Sequence, residues 1–256
     1  MCGIFGYLGP KNASEVILEG LKRLEYRGYD SWGIAVLAKE IKINKQVGAV
    51  GDLTQNTNLP KSSVGIGHTR WATHGGIAQN NAHPHFSSDN SFALAQNGIV
   101  ENYALLKKEL IKKGYKFKTE TDTEVIVRLI ESQKKSNFLQ AVRKAFLKLA
   151  GRNTIIILTK DGQIIALRNG SPLVVGVNGQ EIYLSSDTLS FAPHVDKVIV
   201  VDNGQMVIVR EGIELIAIKS GKKINYKPEK INFSSSKVDK EGYDHFMLKE
   251  ISESPY

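Results

Sequence analysis

Apolar positions follow two rhythms along this chain. Short runs bounded by Gly, Asn and Asp predict strands, and i, i+3, i+4 spacing predicts helices. Gly3–Leu8 predicts a strand at the extreme N-terminus. Asn12–Arg27 predicts a helix: Ser14 suits an N-cap, Val16, Leu18, Leu21 and Leu24 line one face, and Gly28 is the stop. Ile34–Ala38 and Ile41–Val47 predict paired strands, with further strands at Val64–His68 and Phe92–Gln96. Between those two, Thr69 to Asn90 is rich in Gly, His, Asn, Pro and Ser and has no period. So long an unpatterned stretch inside a compact domain usually carries function. Helices are expected at Asn102–Lys113, Asp122–Lys134 and Phe138–Leu149. After Asn153 come short β-branched runs: Thr154–Thr159, Gln163–Leu167, Leu173–Val177, Glu181–Ser185, Val198–Val201, Met206–Arg210 and Glu214–Ile218. Asp161-Gly162 and Asn203-Gly204 are turn signals among them. Hairpins rather than βαβ units predict antiparallel sheets with helices segregated to one side, an α+β or layered-sandwich class. Past about Lys222 the pattern fades into a Lys-, Ser- and Asn-rich tail or linker.

Composition narrows the function classes. At 256 residues the chain holds one large domain or two small ones, and 41% hydrophobic with 23% charged residues excludes wholesale disorder. Lys and Arg number 34 against 26 Asp and Glu, a net charge of +8. The lysines are scattered, with no arginine stripe and no basic-aromatic interleaving, so the charge reads as a solvated surface and not a nucleic-acid face. The longest apolar runs, such as Ile155–Leu158 and Val198–Val201, are far too short to span a bilayer. The N-terminus lacks the charge and apolar core of a signal peptide. A single cysteine permits no internal disulfide and suits a reducing compartment, so the cytoplasm is the expected location. No P-loop occurs, and Gly65-Ile66-Gly67 is followed by His68-Thr69-Arg70, not by a third glycine.

The one thiol, Cys2, stands at a special position. A methionine before a small residue is a good substrate for removal, which would leave Cys2 carrying the free α-amine. That amine titrates near pH ~7.7–8.0 and can serve as a base beside its own thiol. Nucleophile and base on one Cα is an arrangement known for N-terminal threonine. His68-Thr69-Arg70-Trp71-Ala72-Thr73-His74-Gly75-Gly76 opens the long loop, where Arg70 can grip a carboxylate with two prongs. Asn97-Gly98 ends a strand that leads to a helix, so an oxyanion hole competes with a hairpin turn there. Thr121 and Glu124 have capping-box spacing, which leaves Asp122 either a first-turn acid or a carboxylate held for an ammonium group. Arg70 and Asp122 together would hold the two ends of a free amino acid. His74, His83 and His85 raise a metal alternative, but no Cys or Glu ligand clusters with them. His83-Pro84-His85 is read as shaping the loop.

These residues carry a family resemblance across nearly the whole chain. Cys2-Gly3-Ile4-Phe5-Gly6, Leu24 to Ser31, His68 to Gly75, Asn81-Ala82-His83-Pro84-His85, Asn97 to Asn102, Glu120 to Glu124 and Gly170-Ser171-Pro172-Leu173 occur in order. The sequence resembles the glutaminase domain of the glutamine–fructose-6-phosphate aminotransferases, within the class II glutamine amidotransferases. The resemblance implies a four-layer αββα N-terminal-nucleophile fold, two stacked antiparallel sheets between helical layers. It implies that Cys2 attacks the side-chain amide of L-glutamine, giving a glutamyl thioester and ammonia. Asn97 and Gly98 then match the oxyanion pair, and Arg70 and Asp122 match the carboxylate and amine holders. Thr73, His74 and Gly75 line the loop, Trp71 gates ammonia, and Arg27 supports the nucleophile.

The resemblance implies no cofactor and no metal. It does imply a sugar-isomerase partner domain that receives the ammonia and leaves room for a homo-oligomer in the full-length form. Trp32 stands where a small residue is usual, Gln96 where histidine is usual, and Gly76-Ile77 is a less common continuation of the loop. Residues 1–238 are expected to form the amidotransferase domain. Residues 239–256, including Gly242 to Ile251, resemble a linker toward an isomerase half, so the sugar site is expected to lie outside this chain.

Overall fold

The computed structural model describes residues 2–51, 57–133 and 137–230, with the single positions Tyr243, Leu248 and Ser252. The expectations placed on Met1, on the boundary near residue 238 and on most of the linker lie outside the described residues.

The elements are β1 (Gly3–Leu8), α1 (Ala13–Arg23), β2 (Ser31–Leu37), β3 (Ile41–Val47), β4 (Val64–Arg70), β5 (His85–Phe86), β6 (Phe92–Gly98), α2 (Tyr103–Lys112), α3 (Asp122–Glu131) and α4 (Phe138–Phe146). There follow β7 (Asn153–Thr159), β8 (Ile164–Asn169), β9 (Val174–Asn178), β10 (Glu181–Ser185), β11 (Lys197–Val200), β12 (Gln205–Val209), β13 (Ile213–Ala217) and β14 (Glu229–Lys230). One sheet runs β14-β11-β9-β10-β1-β4-β2-β3 and the other β13-β12-β8-β7-β6-β5, with antiparallel pairings. The late hairpins are shared out between them: β9–β10 joins the first sheet, β7–β8 and β12–β13 the second.

Three apolar clusters separate four layers. Ile4, Ile66, Ala93, Ala95, Ile156 and Leu184 fill the space between the sheets. Phe5, Tyr7, Ile34 and Tyr183 face Ile17 and Leu21 of α1. Leu94, Ile155 and Ile157 face α2, α3 and α4 on the opposite outer side. The helices therefore cover both outer faces. That corrects the sequence reading of helices on one side and agrees with the four-layer αββα arrangement. A sheet buried on both faces reads as a continuous apolar run, so pattern alone does not say which face meets which layer.

Other differences are local. α1 ends at Arg23, and Glu25–Arg27 forms a separate 3₁₀ turn. Asn12, not Ser14, occupies the N-cap position, and Ser14 is buried in the first turn with its hydroxyl on Asn12 Oδ1. Glu229–Lys230 pairs with β11 in the stretch read as a tail, so part of that polar sequence is sheet edge.

Register places the chemistry. Gly3 pairs with Thr69 and Ile4 with His68, which sets Cys2 beside the Arg70–Trp71 end of β4. The two-residue strand period puts Cys2 on the face of Ile4, and His68 and Arg70 on the face of Ile66. Asn97 shares the face of Ala93 and Ala95 on the second sheet. Candidate nucleophile and candidate oxyanion donor thus sit on different sheets, at one mouth of the inter-sheet space.

Candidate active site

Cys2 is half-buried against the first turn of the long loop. The Trp71 N–H points at Sγ from 3.3 Å, and Sγ lies 3.6 Å from the Trp71 carbonyl. Burial pushes the thiol pKa up, the Trp71 N–H and the Arg70 charge oppose this, and Asp122 adds to it. The thiol is therefore neutral at physiological pH and needs a base. Cys2, Arg70 and Asp122 are close enough to feel one another's charge, so the structure brings these three together.

Arg70, buried at the end of β4, is held by the loop it precedes. Nη2 donates to the carbonyls of His74 (2.5 Å) and Gly75 (3.1 Å), and Nη1 to that of Gly76 (3.1 Å). Gly75 has φ +78°, and a Cβ there would lie 2.9 Å from Glu120 Cβ, so glycine is required. Thr73 is exposed. The His74 ring meets Tyr103 edge-on at 4.7 Å and lies close enough to Asp122 to act electrostatically in favour of its ionised carboxylate. Trp71 leans on Tyr29, with ring centroids 5.5 Å apart.

Asp122 begins α3. Its Oδ2 accepts the Val100 N–H at 2.7 Å, and the backbone N–H groups of Asp122 and Thr123 also favour its charge. Burial outweighs them and raises its pKa. Thr121 caps the helix by accepting from the Glu124 N–H. The reciprocal half of the capping box is absent. The Glu124 carboxylate turns instead to the N–H groups of Lys118 and Thr119 and to a buried pair with Arg128 at 2.8 Å.

Asn97 is buried, and its side chain lies against His68. Gly98 has φ +124°, and a Cβ would fall 2.0 Å from the Arg152 carbonyl oxygen, so only glycine fits. Arg27 donates to Asp187 Oδ2 (2.8 Å) and to Tyr26 Oη (3.1 Å), anchoring the turn below β4. His83 is buried between His68 and Thr123, with its Nδ1 3.3 Å from His68 Nε2 and its Nε2 2.9 Å from Thr123 Oγ1. Among the described residues no group of three or more His, Cys, Asp or Glu is placed to hold a metal. Trp32 packs in the layer against α1, whereas Ile77 is exposed on the loop.

Three supports escaped the sequence reading. Asp30 clamps the loop start: its N–H donates to the Arg70 carbonyl and its carboxylate accepts the Ala72 N–H at 2.8 Å. Asn81 and Glu120 latch the loop end, Glu120 Oε2 accepting from the Gly76 N–H (3.2 Å) and Asn81 Nδ2 (3.0 Å). Gln96 and Thr123 join at 2.6 Å beneath Asn97 and Asp122. The signal available for each was its place inside one of the motif stretches, which named no partner.

Two antiparallel sheets between helical layers are the architecture of the N-terminal-nucleophile fold. The chain is similar to the solved glutamine phosphoribosylpyrophosphate amidotransferase from B. subtilis, with 28% identity and TM-score 0.77 over 85% of this chain and 49% of that one. A class II glutamine aminotransferase domain protein from Silicibacter pomeroyi shares the fold at TM-score 0.59 and 18% identity, over 85% of this chain and 99% of that one. Residues 68–193 match the family described as glutamine amidotransferase domain. Residues 68–193 thus carry a glutamine amidotransferase domain, and the whole chain is similar to proteins that contain one.

Over its whole length it is similar to the isomerizing glutamine–fructose-6-phosphate aminotransferases. Identity is 41% with that of Methanococcus maripaludis, 43% with that of Francisella tularensis and 44% with that of Bacteroides thetaiotaomicron. The chain spans 43–45% of the length of these relatives.

Proposed function

We propose that this chain hydrolyses L-glutamine to glutamate and ammonia through a thioester on Cys2. The observation that carries the reading is the convergence of Cys2 Sγ, the Arg70 guanidinium and the Asp122 carboxylate at one mouth of the inter-sheet space. Arg70 takes the α-carboxylate and Asp122 the α-ammonium of glutamine, which delivers the side-chain amide to the sulfur. Removal of Met1 frees the Cys2 α-amine, which takes the thiol proton as Sγ bonds to the amide carbon. The Asn97 side-chain N–H and the Gly98 N–H receive the oxyanion. The C–N bond breaks, the proton passes to the leaving nitrogen, and ammonia departs. Water then attacks the thioester, the amine accepts its proton, and the thiol is restored as glutamate leaves.

Thr73, His74 and Gly75 close over the substrate, Trp71 stands over the path of ammonia, and Arg27 and His83 support the site. The relatives' names point to fructose 6-phosphate as the acceptor. On this reading the chain supplies ammonia to a sugar-isomerase domain or polypeptide in the cytoplasm, without nucleic acid or membrane as partner. No helix among the described residues is long and apolar enough to cross a membrane. Mass spectrometry with and without a glutamine-like electrophile tests the chemistry. The expected result is loss of Met1 and a single adduct on Cys2, with glutamine hydrolysis abolished by Cys2→Ala. An adduct elsewhere, or turnover in Cys2→Ala, overturns the reading.

A further inference from the structure

We propose that Gln96 is a positioning residue that fixes the register between the two sheets at the site and so sets the oxyanion geometry of Asn97; this rests on the amidotransferase reading above. The difficulty it resolves is architectural. Cys2 and Arg70 belong to the first sheet, while Asn97 belongs to the second. Apolar packing holds sheets together without choosing register to a fraction of an ångström, yet an oxyanion donor must be placed to about 0.5 Å.

A chain of hydrogen bonds supplies that precision, and its direction is determined from one end. The Ala150 carbonyl can only accept, so Asn153 Nδ2 donates to it at 3.1 Å, and Asn153 Oδ1 faces Gln96. Gln96 Nε2 must then donate to Asn153 Oδ1, at 2.6 Å. Gln96 Oε1 must accept, and Thr123 gives its only hydroxyl proton there, at 2.6 Å. His83 Nε2 therefore donates to Thr123 Oγ1 at 2.9 Å, which leaves His83 Nδ1 as a lone pair. The His68 Nε2 proton is shared between the Gln96 backbone carbonyl (2.8 Å) and that lone pair (3.3 Å). This last step crosses from β4 to β6.

Three members stand within two residues of a candidate site position. Gln96 precedes Asn97, Thr123 follows Asp122, and His68 stands two residues before Arg70. All are buried, Gln96 with 1% of its surface exposed. A histidine at position 96 would offer one ring acceptor and one ring donor and could occupy the same link.

A double-mutant cycle on glutamine hydrolysis tests this. Gln96→Met is expected to lower kcat by about tenfold or more, with KM changed less than about threefold. In an Asn97→Ala background the same substitution should cost less than about twofold, because its effect runs through Asn97. Gln96→His should recover most of kcat. An additive loss in both backgrounds, or a folded Gln96→Met with normal kcat, refutes the positioning role. Imidazole ¹⁵N shifts give a readout independent of turnover. His68 and His83 should both be neutral Nε2–H tautomers, and both should stay so in Gln96→Met, because the Gln96 backbone carbonyl still takes the His68 Nε2 proton. A wild-type chain that leaves glutamine intact sinks the amidotransferase reading, whereas a wild-type His83 protonated on Nδ1 sinks the network.

Discussion

At the residue scale, each site side chain owes its chemistry to what surrounds it. Cys2 is buried enough that its thiol stays protonated, so reactivity depends on a neighbouring base and not on a lowered thiol pKa. Arg70 is pinned by three loop carbonyls, which spares it the entropy of ordering a long side chain when a carboxylate arrives. In the proposed mechanism Asn97 acts only as a donor to developing charge, which predicts a selective effect. Asn97→Ala should reduce kcat for glutamine by about 10²–10³ while KM moves little. Steady-state kinetics checks this, and a loss confined to KM would assign Asn97 to binding.

At the scale of elements, the first turn of α3 serves several masters. Thr121 caps the helix, Asp122 ties the turn after β6, Thr123 enters the buried network, and Glu124 pairs with Arg128. Thr121→Ala should cost about 1 kcal/mol of stability through the lost cap, measured by denaturant unfolding. Gly98 shows the opposite dependence, on backbone space. Gly98→Ala forces a Cβ against the Arg152 carbonyl at a left-handed φ, and about 1–3 kcal/mol of destabilisation is expected on top of lost turnover. A Gly98→Ala chain as stable as the parent would mean that β6 and β7 separate freely at that end.

At the scale of the whole molecule, the layers enclose a set of imidazoles that the folded chain keeps neutral. Burial holds His68 down at about 3, and His83 and His85 also far below the ordinary value. In the unfolded chain these rings titrate near pH ~6.5. Below that pH the unfolded state binds protons that the native state refuses, so stability must fall as pH falls, from about 6.5 toward 3. Most carboxylates are still ionised above about pH 5, so the upper part of that window belongs to histidine. Thermal unfolding at pH 7.5 and pH 5.2 should show a clear drop in midpoint, and a flat profile would contradict the neutral buried rings.

The sequence by itself determined which stretches are strands and helices, because periodicity and turn residues are local properties. It also offered Cys2, Arg70, Asn97, Gly98 and Asp122 as candidates, because their residue types, within characteristic runs, limit the chemistry they can do. Strand boundaries such as β4 and β6 came within a few residues, and the N-cap of α1 was off by two. Only the tertiary structure decided that α1 and α2–α4 lie on opposite outer faces, since a strand buried on both sides carries no mark of which layer it meets. Only it joined Asp30 to Ala72, Glu120 to Gly76 and Gln96 to Thr123, pairs 27 to 44 positions apart. A hydrogen bond depends on distance in space, and chain separation does not encode that distance until the sheets have stacked.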